Sequence, residues 1–471
     1  MKEGYLVFDL GTGNSRVAIG DETGNIIGIR SFENIYHQES RNPEAKYFIP
    51  KEWLQKILLE MKLLLSDFSQ YTIRAVTATS AREGIVLVDQ RGSAFIGLPN
   101  IDKRGNERIK KYQQYSKDVY RLSGHWLDPL FSALKLLTYK ENYLSKEKTI
   151  IGFTSISEWI GYELTGKLGI AESQACETQL YDTKEFKWSE ELMDIFEMEE
   201  KILPDVYAAG EVLGYVGEEK IPFIVCGADT QMAVEGVGAK AGDVIIVSGT
   251  TSPIVAVVEE PLYDEDERCW FDCVKKGRWL IETNAGTTGL NYQTYRKNFL
   301  GNKSYKEIEH KIAEKNNFQC IASFGTKFFP GKKSLKQGGV FSYAPLSVEF
   351  DRIDVMNAIM ADIACGITLH YRELQKIKSH DKKYVIGCGG GFQSQTLGKR
   401  IASLINKEVV LPPHYEQASL NGCIKICQKT LKKSVEDHDH VRIIEPGEDI
   451  LLEEYYEKWR TVRKIYEEVE F

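Results

Sequence analysis

The stretch Pro222-Phe223-Ile224-Val225-Cys226-Gly227-Ala228-Asp229-Thr230-Gln231-Met232, with Val244-Ile245-Ile246-Val247-Ser248-Gly249-Thr250-Thr251-Ser252-Pro253 after it, decides the fold. An apolar run from Phe223 ends in a single acid, Asp229. The Gly-containing segment Gln231 to Gly238 reads as helical. A second apolar run, Val244 to Val247, opens into a Gly-Thr turn and then a strand, Ile254 to Val258. The N-terminus has the same order. Tyr5 to Leu10 reads as a buried strand, Gly11-Thr12-Gly13-Asn14-Ser15 as a tight turn, and Arg16 to Ile19 as a second strand. Hairpin chemistry at Asp21 to Asn25 leads to a third strand, Ile26 to Ile29. A chain that opens each half in this way predicts a duplicated nucleotide-binding domain. Asp229 is the candidate catalytic base, and Ser248 to Thr251 the candidate phosphate cradle, because glycine turns let backbone N–H groups approach phosphate oxygens.

Two other phosphate loops fail. The Gly11/Gly13 spacing invites a dinucleotide fingerprint, but Arg16 stands at the third glycine position and a strand follows where a helix is required. A Walker loop at Gly325 to Ser334 has the wrong spacing and Lys333 where Ser or Thr belongs.

At 471 residues the chain suits two domains. A formal charge of −8 gives no footprint for nucleic acid and no basic surface for an anionic membrane. The most basic stretch, Lys103 to Lys111, contains Glu107 and reads as a solvated face. No segment reaches the ~20 apolar residues of a membrane helix, and no signal-peptide pattern precedes Asp9. Nine scattered cysteines suit a reducing cytoplasm with free thiols. Cys269 and Cys273 form the one tight pair, without the further ligands of a zinc finger. His438-Asp439-His440 reads as a solvated turn.

Trp53 to Leu65 has a helical apolar face. Arg74 to Thr79 and Ile85 to Val88 read as strands around Ser80-Ala81-Arg82-Glu83-Gly84. Between them, Arg82 and Glu83 are either an exposed turn or a pocket edge, Arg82 donating to hydroxyls and Glu83 accepting. Asp102 follows near a strand end. Helices are expected at Asp128 to Tyr139, Ser155 to Thr165 and Glu190 to Phe196. In the second half, Ala285 to Gly289 leads into a helix through Tyr295, and Asp354 to Tyr371 is a long helix. Lys383 to Ile386 is a strand before the glycine turn Gly387 to Phe392. Ser394 to Leu404 and Glu416 to Cys427 follow as helices, the latter with Ala418, Ser419 and Gly422 small enough for close packing. An amphipathic helix through Leu451, Tyr455, Trp459, Val462 and Tyr466 ends the chain. The loop Asn106 to Trp126 carries no pattern that locates it.

Seven motifs together resemble the FGGY carbohydrate kinases over nearly the whole length. They are DLGTGNSR (Asp9 to Arg16), SAREG (Ser80 to Gly84), NIDKR (Asn100 to Arg104), SEWIGYELTG (Ser157 to Gly166), CGADTQ (Cys226 to Gln231), SGTTS (Ser248 to Ser252) and GCGGGFQS (Gly387 to Ser394). Within the family, the wording around Arg82 and Asp102 is most like autoinducer-2 kinase, although Ala81 and Lys103 depart from it. The resemblance implies an α/β chain of two actin-like ATPase (ribonuclease H-like) domains flanking a catalytic cleft. Residues 1–238 would form the sugar-binding domain and 239–471 the ATP-binding domain. It implies ATP and Mg²⁺, a small carbohydrate substrate, Asp229 as base and Asp9 as the metal ligand. Arg82, Glu83 and Asp102 would contact substrate. Thr12, Gly13, Thr250, Thr251, Gly289, Gln293, Gly389, Gly390 and Gly391 would hold the nucleotide. Arg16 either approaches phosphate or forms a structural ion pair, and a homodimer stays open. Without the motif set, an Asp beside a glycine turn is an ordinary helix cap. A chaperone-like actin-fold ATPase or a sugar-sensing pseudokinase is the rival reading. An ATPase of that kind needs no hydroxyl clamp, and here every expected catalytic position is occupied.

Overall fold

The computed structural model describes residues 2–301, 303–315, 317–326, 335, 337–433 and 441–468. His438-Asp439-His440 and most of the rejected Walker segment lie outside the described residues. The first half builds strands β1 (Lys2–Leu10), β2 (Asn14–Asp21) and β3 (Ile26–Glu33), helix α1 (Pro50–Asp67) and strand β4 (Tyr71–Ser80). Helices α2 (Ser132–Asn142) and α3 (Ile156–Thr165), strands β5 (Val212–Val216) and β6 (Ile221–Ala228), and helix α4 (Asp229–Gly236) follow. The second half has β7 (Val244–Val247), β8 (Thr251–Val258), β9 (Trp270–Lys275), β10 (Arg278–Thr287), α5 (Gly289–Phe299) and α6 (Arg352–Ile377). It continues with β11 (Tyr384–Cys388), α7 (Gln395–Ile405), β12 (Glu408–Leu411), α8 (Ala418–Thr430), β13 (Arg442–Ile444) and α9 (Ile450–Glu468).

The two large sheets share one plan. In the first, β3, β2 and β1 form an antiparallel meander, and β4 and β6 continue it in parallel. In the second, β10, β8 and β7 form the meander, and β11 and β12 add in parallel. Parallel pairing requires crossovers that cover the faces, so β1 is buried throughout from Gly4 to Leu10. The strand–turn–strand repeat in the sequence is therefore a repeat of sheet topology. Boundaries move by a few residues. β6 continues past Cys226 with a register shift at Val225/Gly227 and runs directly into α4. Asp229 is consequently the first residue of a helix, two residues earlier than the expected start.

α6 is the single helix among the described residues that is long and apolar enough to cross a membrane. Its apolar window is 83% buried inside the protein, as expected for a core helix. All nine cysteines are buried and free. Cys273 lies 3.1 Å, sulfur to sulfur, from Cys176 of the first half, so its near neighbour is not Cys269.

The halves are interleaved. α8, from the second half, packs on the first sheet, where Leu420, Cys423, Ile424 and Cys427 join Tyr5, Val7, Ala75 and Ile224 in one core. It crosses α4 backbone to backbone. A Cβ on Gly236 would lie 1.9 Å from the Ala418 carbonyl oxygen, and one on Gly422 1.9 Å from that of Met232. Asn421 Nδ2 and Lys425 Nζ donate to the Gly236 carbonyl at 3.0 and 2.9 Å, tying the crossing. Gly236→Ala must separate the helices, and the expected loss is about 3 kcal/mol, the upper end for overpacking. Equilibrium urea denaturation measures it. A midpoint equal to that of the wild type would show that the crossing has slack.

Candidate active site

Asp229 begins α4 at the end of β6, half-buried, with Thr230 Oγ1 3.3 Å from its Oδ1. Burial pushes its pKa up to about 6; the Arg82 cation opposes this rise and the Asp9 anion reinforces it. Arg82, Asp9 and Asp229 thus form one electrostatic group. Asp9, buried on β1, is ion-paired with Arg16 of β2, its cross-strand partner. Ser419 Oγ of α8 donates to the same oxygen, Oδ2, at 3.2 Å. Arg16 is therefore ion-paired with a candidate site acid while part of its side chain stays exposed.

Glu83 sits in the turn after β4 at φ +61°, a left-handed conformation that a non-glycine residue adopts only when its surroundings enforce it. The enforcing group is Lys135 of α2, fully buried, whose Nζ donates to the Glu83 carbonyl at 2.7 Å and the Pro99 carbonyl at 2.9 Å. Ser132 Oγ adds a bond to Glu83 O at 3.1 Å. Burial raises the Glu83 carboxyl to about 7 against the pull of Arg82 and Lys135. Burial lowers Lys135 to about 8, with Asp102 and Glu83 opposing.

Arg82 is anchored by the second half of the chain. Its Nη1 and Nη2 donate to Glu282 of β10 at 2.8 and 2.9 Å, and Nη1 also meets Asp272 of β9 at 3.3 Å and Glu177 at 3.4 Å. Trp270 covers the guanidinium at 5.6 Å. Burial opposes its charge, but Glu282 and Glu177 outweigh this and hold it firmly cationic. Asp102 is enclosed differently. Its Oδ2 accepts from Arg104 Nε at 2.6 Å, and its Oδ1 from the Lys46 and Arg104 amides at 3.0 and 3.2 Å. With no exposure and both oxygens engaged, Asp102 has no open face for a substrate.

Of the nucleotide candidates, Thr250, Thr251, Gly289, Gly389 and Gly391 meet around Ser248 and Gly249. Gly391 N donates to Ser248 O at 2.9 Å, and Thr288 N to Thr250 O at 3.1 Å. A Cβ on Gly289 would lie 2.2 Å from Gly249 O, so only glycine lets the start of α5 meet this turn. Gly389 has φ +93° and packs against Ser248. Thr250, Thr251, Gly13 and Gly390 face outward, and a Cβ on Gly13 would meet nothing within 4 Å. This is open glycine backbone beside hydroxyls, which fits a polyphosphate. Thr12 is half-exposed, with Asn100 Nδ2 donating to its Oγ1 at 2.8 Å. Gln293 is exposed on α5, one turn beyond Gly289.

Sequence reasoning missed Lys135, Glu177, Asp272 and Glu282. All but Glu177 had a local signal. Lys135 is a lone cation between Leu134 and Leu136, and Asp272 and Glu282 interrupt apolar strands. A buried charge requires a partner, but nothing local names it.

Two sheets of one plan, with glycine turns and an acid at their junction, define a two-domain sugar-kinase fold of the actin-like ATPase type. The comparisons with known proteins agree. The model "FGGY family of carbohydrate kinases, N-terminal domain" matches residues 4–236. The chain is 38% identical over 477 residues to "Putative sugar kinase YoaC" of Bacillus subtilis (strain 168), covering 99% of this chain and 98% of that protein. It is 27% identical to autoinducer-2 kinase of Yersinia pseudotuberculosis serotype O:3 (strain YPIII), over 89% of this chain and 84% of the relative. Among solved structures, Plasmodium falciparum glycerol kinase with ADP superposes with a TM-score of 0.83 at 18% identity, covering 100% of this chain and 99% of that one. A Brucella ovis structure titled as a "xyloylose kinase" gives 0.81 at 18%, covering 99% of each. The chain belongs to the FGGY family of carbohydrate kinases, and its fold class is the one the motifs implied.

Lys135→Met removes the buried ammonium that both carbonyls accept from, leaving Glu83 O to Ser132 Oγ and Pro99 O to the Asp102 amide. The expected cost is about 3 kcal/mol, read as a lower denaturation midpoint. The Glu83 turn should loosen with it, raising KM for the sugar more than KM for ATP. Equal changes in both would detach Lys135 from the sugar side.

Proposed function

We propose that this sugar kinase transfers the γ-phosphate of ATP to a hydroxyl of a small sugar, polyol or autoinducer-2-like substrate, with Asp229 as general base. The observation that carries this reading is the raised pKa of Asp229 beside Arg82 and Glu83. A base tuned towards neutrality is ionised at working pH and still takes up a proton readily. Asp229 accepts the hydroxyl proton, the freed oxygen attacks the γ-phosphorus, and the bond to the ADP oxygen breaks.

Arg82 and Glu83 hold substrate hydroxyls. Asp102 acts through Arg104 as a positioning residue that fixes the neighbouring loop. Thr12, Gly13, Thr250, Thr251, Gly289, Gln293 and Gly389 to Gly391 hold ATP. A Mg²⁺ ion at Asp9 would neutralise phosphate charge, and one or two carboxylates are enough for it. The division into a sugar domain (1–238) and an ATP domain (239–471) belongs to the same reading. It separates the two sheets while leaving α8 across the boundary. The protein acts on soluble metabolites in the cytoplasm.

Turnover with a panel of polyols, ketoses and aldonates tests the class, and ATP consumption indifferent to every sugar would overturn it. Asp229→Asn should lower kcat by about 10²–10⁴-fold while Mg-ATP binding persists; near-normal turnover refutes the base assignment. In the wild type the base must be deprotonated, so kcat/KM should fall as pH drops through about 6 and level off above it. A flat profile from pH 5 to 7, roughly the range over which such a group titrates, would remove Asp229 from that role. Arg82→Ala should raise KM for the sugar and leave ATP affinity little changed; selective loss of ATP binding would put Arg82 in the other subsite.

A further inference from the structure

Behind Arg82 lies a second cluster that the transfer reaction does not use. His125, Glu177 and Asp272 are fully buried, and one ligand atom from each lies within 4.8 Å of the others. His125 Nδ1 is 3.0 Å from the Ser123 carbonyl, which can only accept, so Nδ1 carries the proton. In the neutral ring, Nε2 is then a lone pair. It points at Asp272 Oδ1, 3.0 Å away, and Glu177 Oε2, 3.5 Å away. None of these three atoms has a well-aligned hydrogen bond. Three buried polar atoms facing one another need a positive centre between them, either a proton on His125 or Glu177 or a bound cation.

The rest of the cluster sets its charge. Arg82 approaches Glu177 through Oε1 and Asp272 through Oδ2, so each carboxylate gives one oxygen to the guanidinium and turns the other towards the imidazole. Glu83, Glu177, Asp272 and Glu282 all lie within 4.0 Å of the single Arg82 guanidinium, more carboxylates than one cation balances. A divalent ion would offset part of that imbalance. The spacing also suits one: ligands of a four-coordinate zinc at bonds of about 2.0 Å stand about 3.3 Å apart. A ligating histidine commonly donates its other nitrogen to a backbone carbonyl, as His125 does. Phe131 and Trp270 pack at a tilt against the His125 ring, centroids 4.7 and 5.6 Å away.

We propose that His125, Glu177 and Asp272 bind a structural divalent cation, zinc by their nitrogen and oxygen donor set. The ion joins two first-half segments to β9 of the second half. Through Glu177 and Asp272 it fixes two of the carboxylates that hold Arg82, beside Glu282. It is separate from the Mg²⁺ assigned to Asp9 and does not depend on the kinase reading.

The test uses the full-length protein purified without chelator. Elemental analysis should find about one zinc per chain. Dipicolinate treatment should lower the melting midpoint by several degrees, and ZnCl₂ should restore it where MgCl₂ does not. His125→Gln and Asp272→Asn should each abolish the response to zinc. If those variants do not fold, Co²⁺ added to the stripped wild type should give the visible absorption of a low-coordinate nitrogen–oxygen site. Protein without bound metal whose melting is indifferent to zinc would overturn the proposal. So would a His125→Gln variant that keeps the ion, or a midpoint that follows pH alone, which would assign the charge balance to protons.

Discussion

The contact between Gly236 and Gly422 is the constraint on which the rest of the molecule depends. Two helices from opposite halves touch backbone to backbone, with no side chain between them. α4 carries Asp229 at its first residue, and α8 carries Ser419 against Asp9. The position of Asp229 relative to Asp9 is therefore set by main chain on main chain, the least deformable contact a protein offers. Larger residues at the crossing would move both acids at once.

The electrostatics build on that contact. Partial burial of Asp229 favours its protonated form, and Arg82 offsets part of the penalty. Arg82 keeps its charge because β9 and β10 supply carboxylates from the other half. The same guanidinium thus tunes a first-half acid while being held by second-half strands. Removing either side would leave a buried charge without its partner, a larger loss than the bond itself. Proton affinity at the base and contact between the halves are one balance.

Much of this was legible in the sequence. The apolar runs gave the central strands, and the repeated strand–turn–strand order gave the duplicated topology, because a strand buried on both faces leaves little freedom in its composition. The small residues of α8 announced a close packing, although not that Gly236 would be the opposite surface. What stayed hidden was pairing over long separations. Arg82 finds Glu282, 200 residues away, and neither neighbourhood encodes the other. Asn106 to Trp126, expected as a loop, is largely helical, with short turns before a helix at Ser116–Ser123, and distant bonds fix its place. Tyr120 OH donates to Cys269 O at 2.7 Å, and Phe271 N donates to Gly124 O at 3.0 Å. Asp102 read as a pocket residue from its motif, and only its neighbours Arg104 and Lys46 revealed how fully it is enclosed.

The place of α8 on the first sheet has a consequence for how the chain is made. Synthesis delivers all six strands of that sheet by Ala228, but the helix covering Tyr5, Val7 and Ile224 begins only at Ala418. Over the intervening stretch of translation one apolar face of the sheet has no native cover, and the nascent first half must wait for Ala418–Thr430 to close its core.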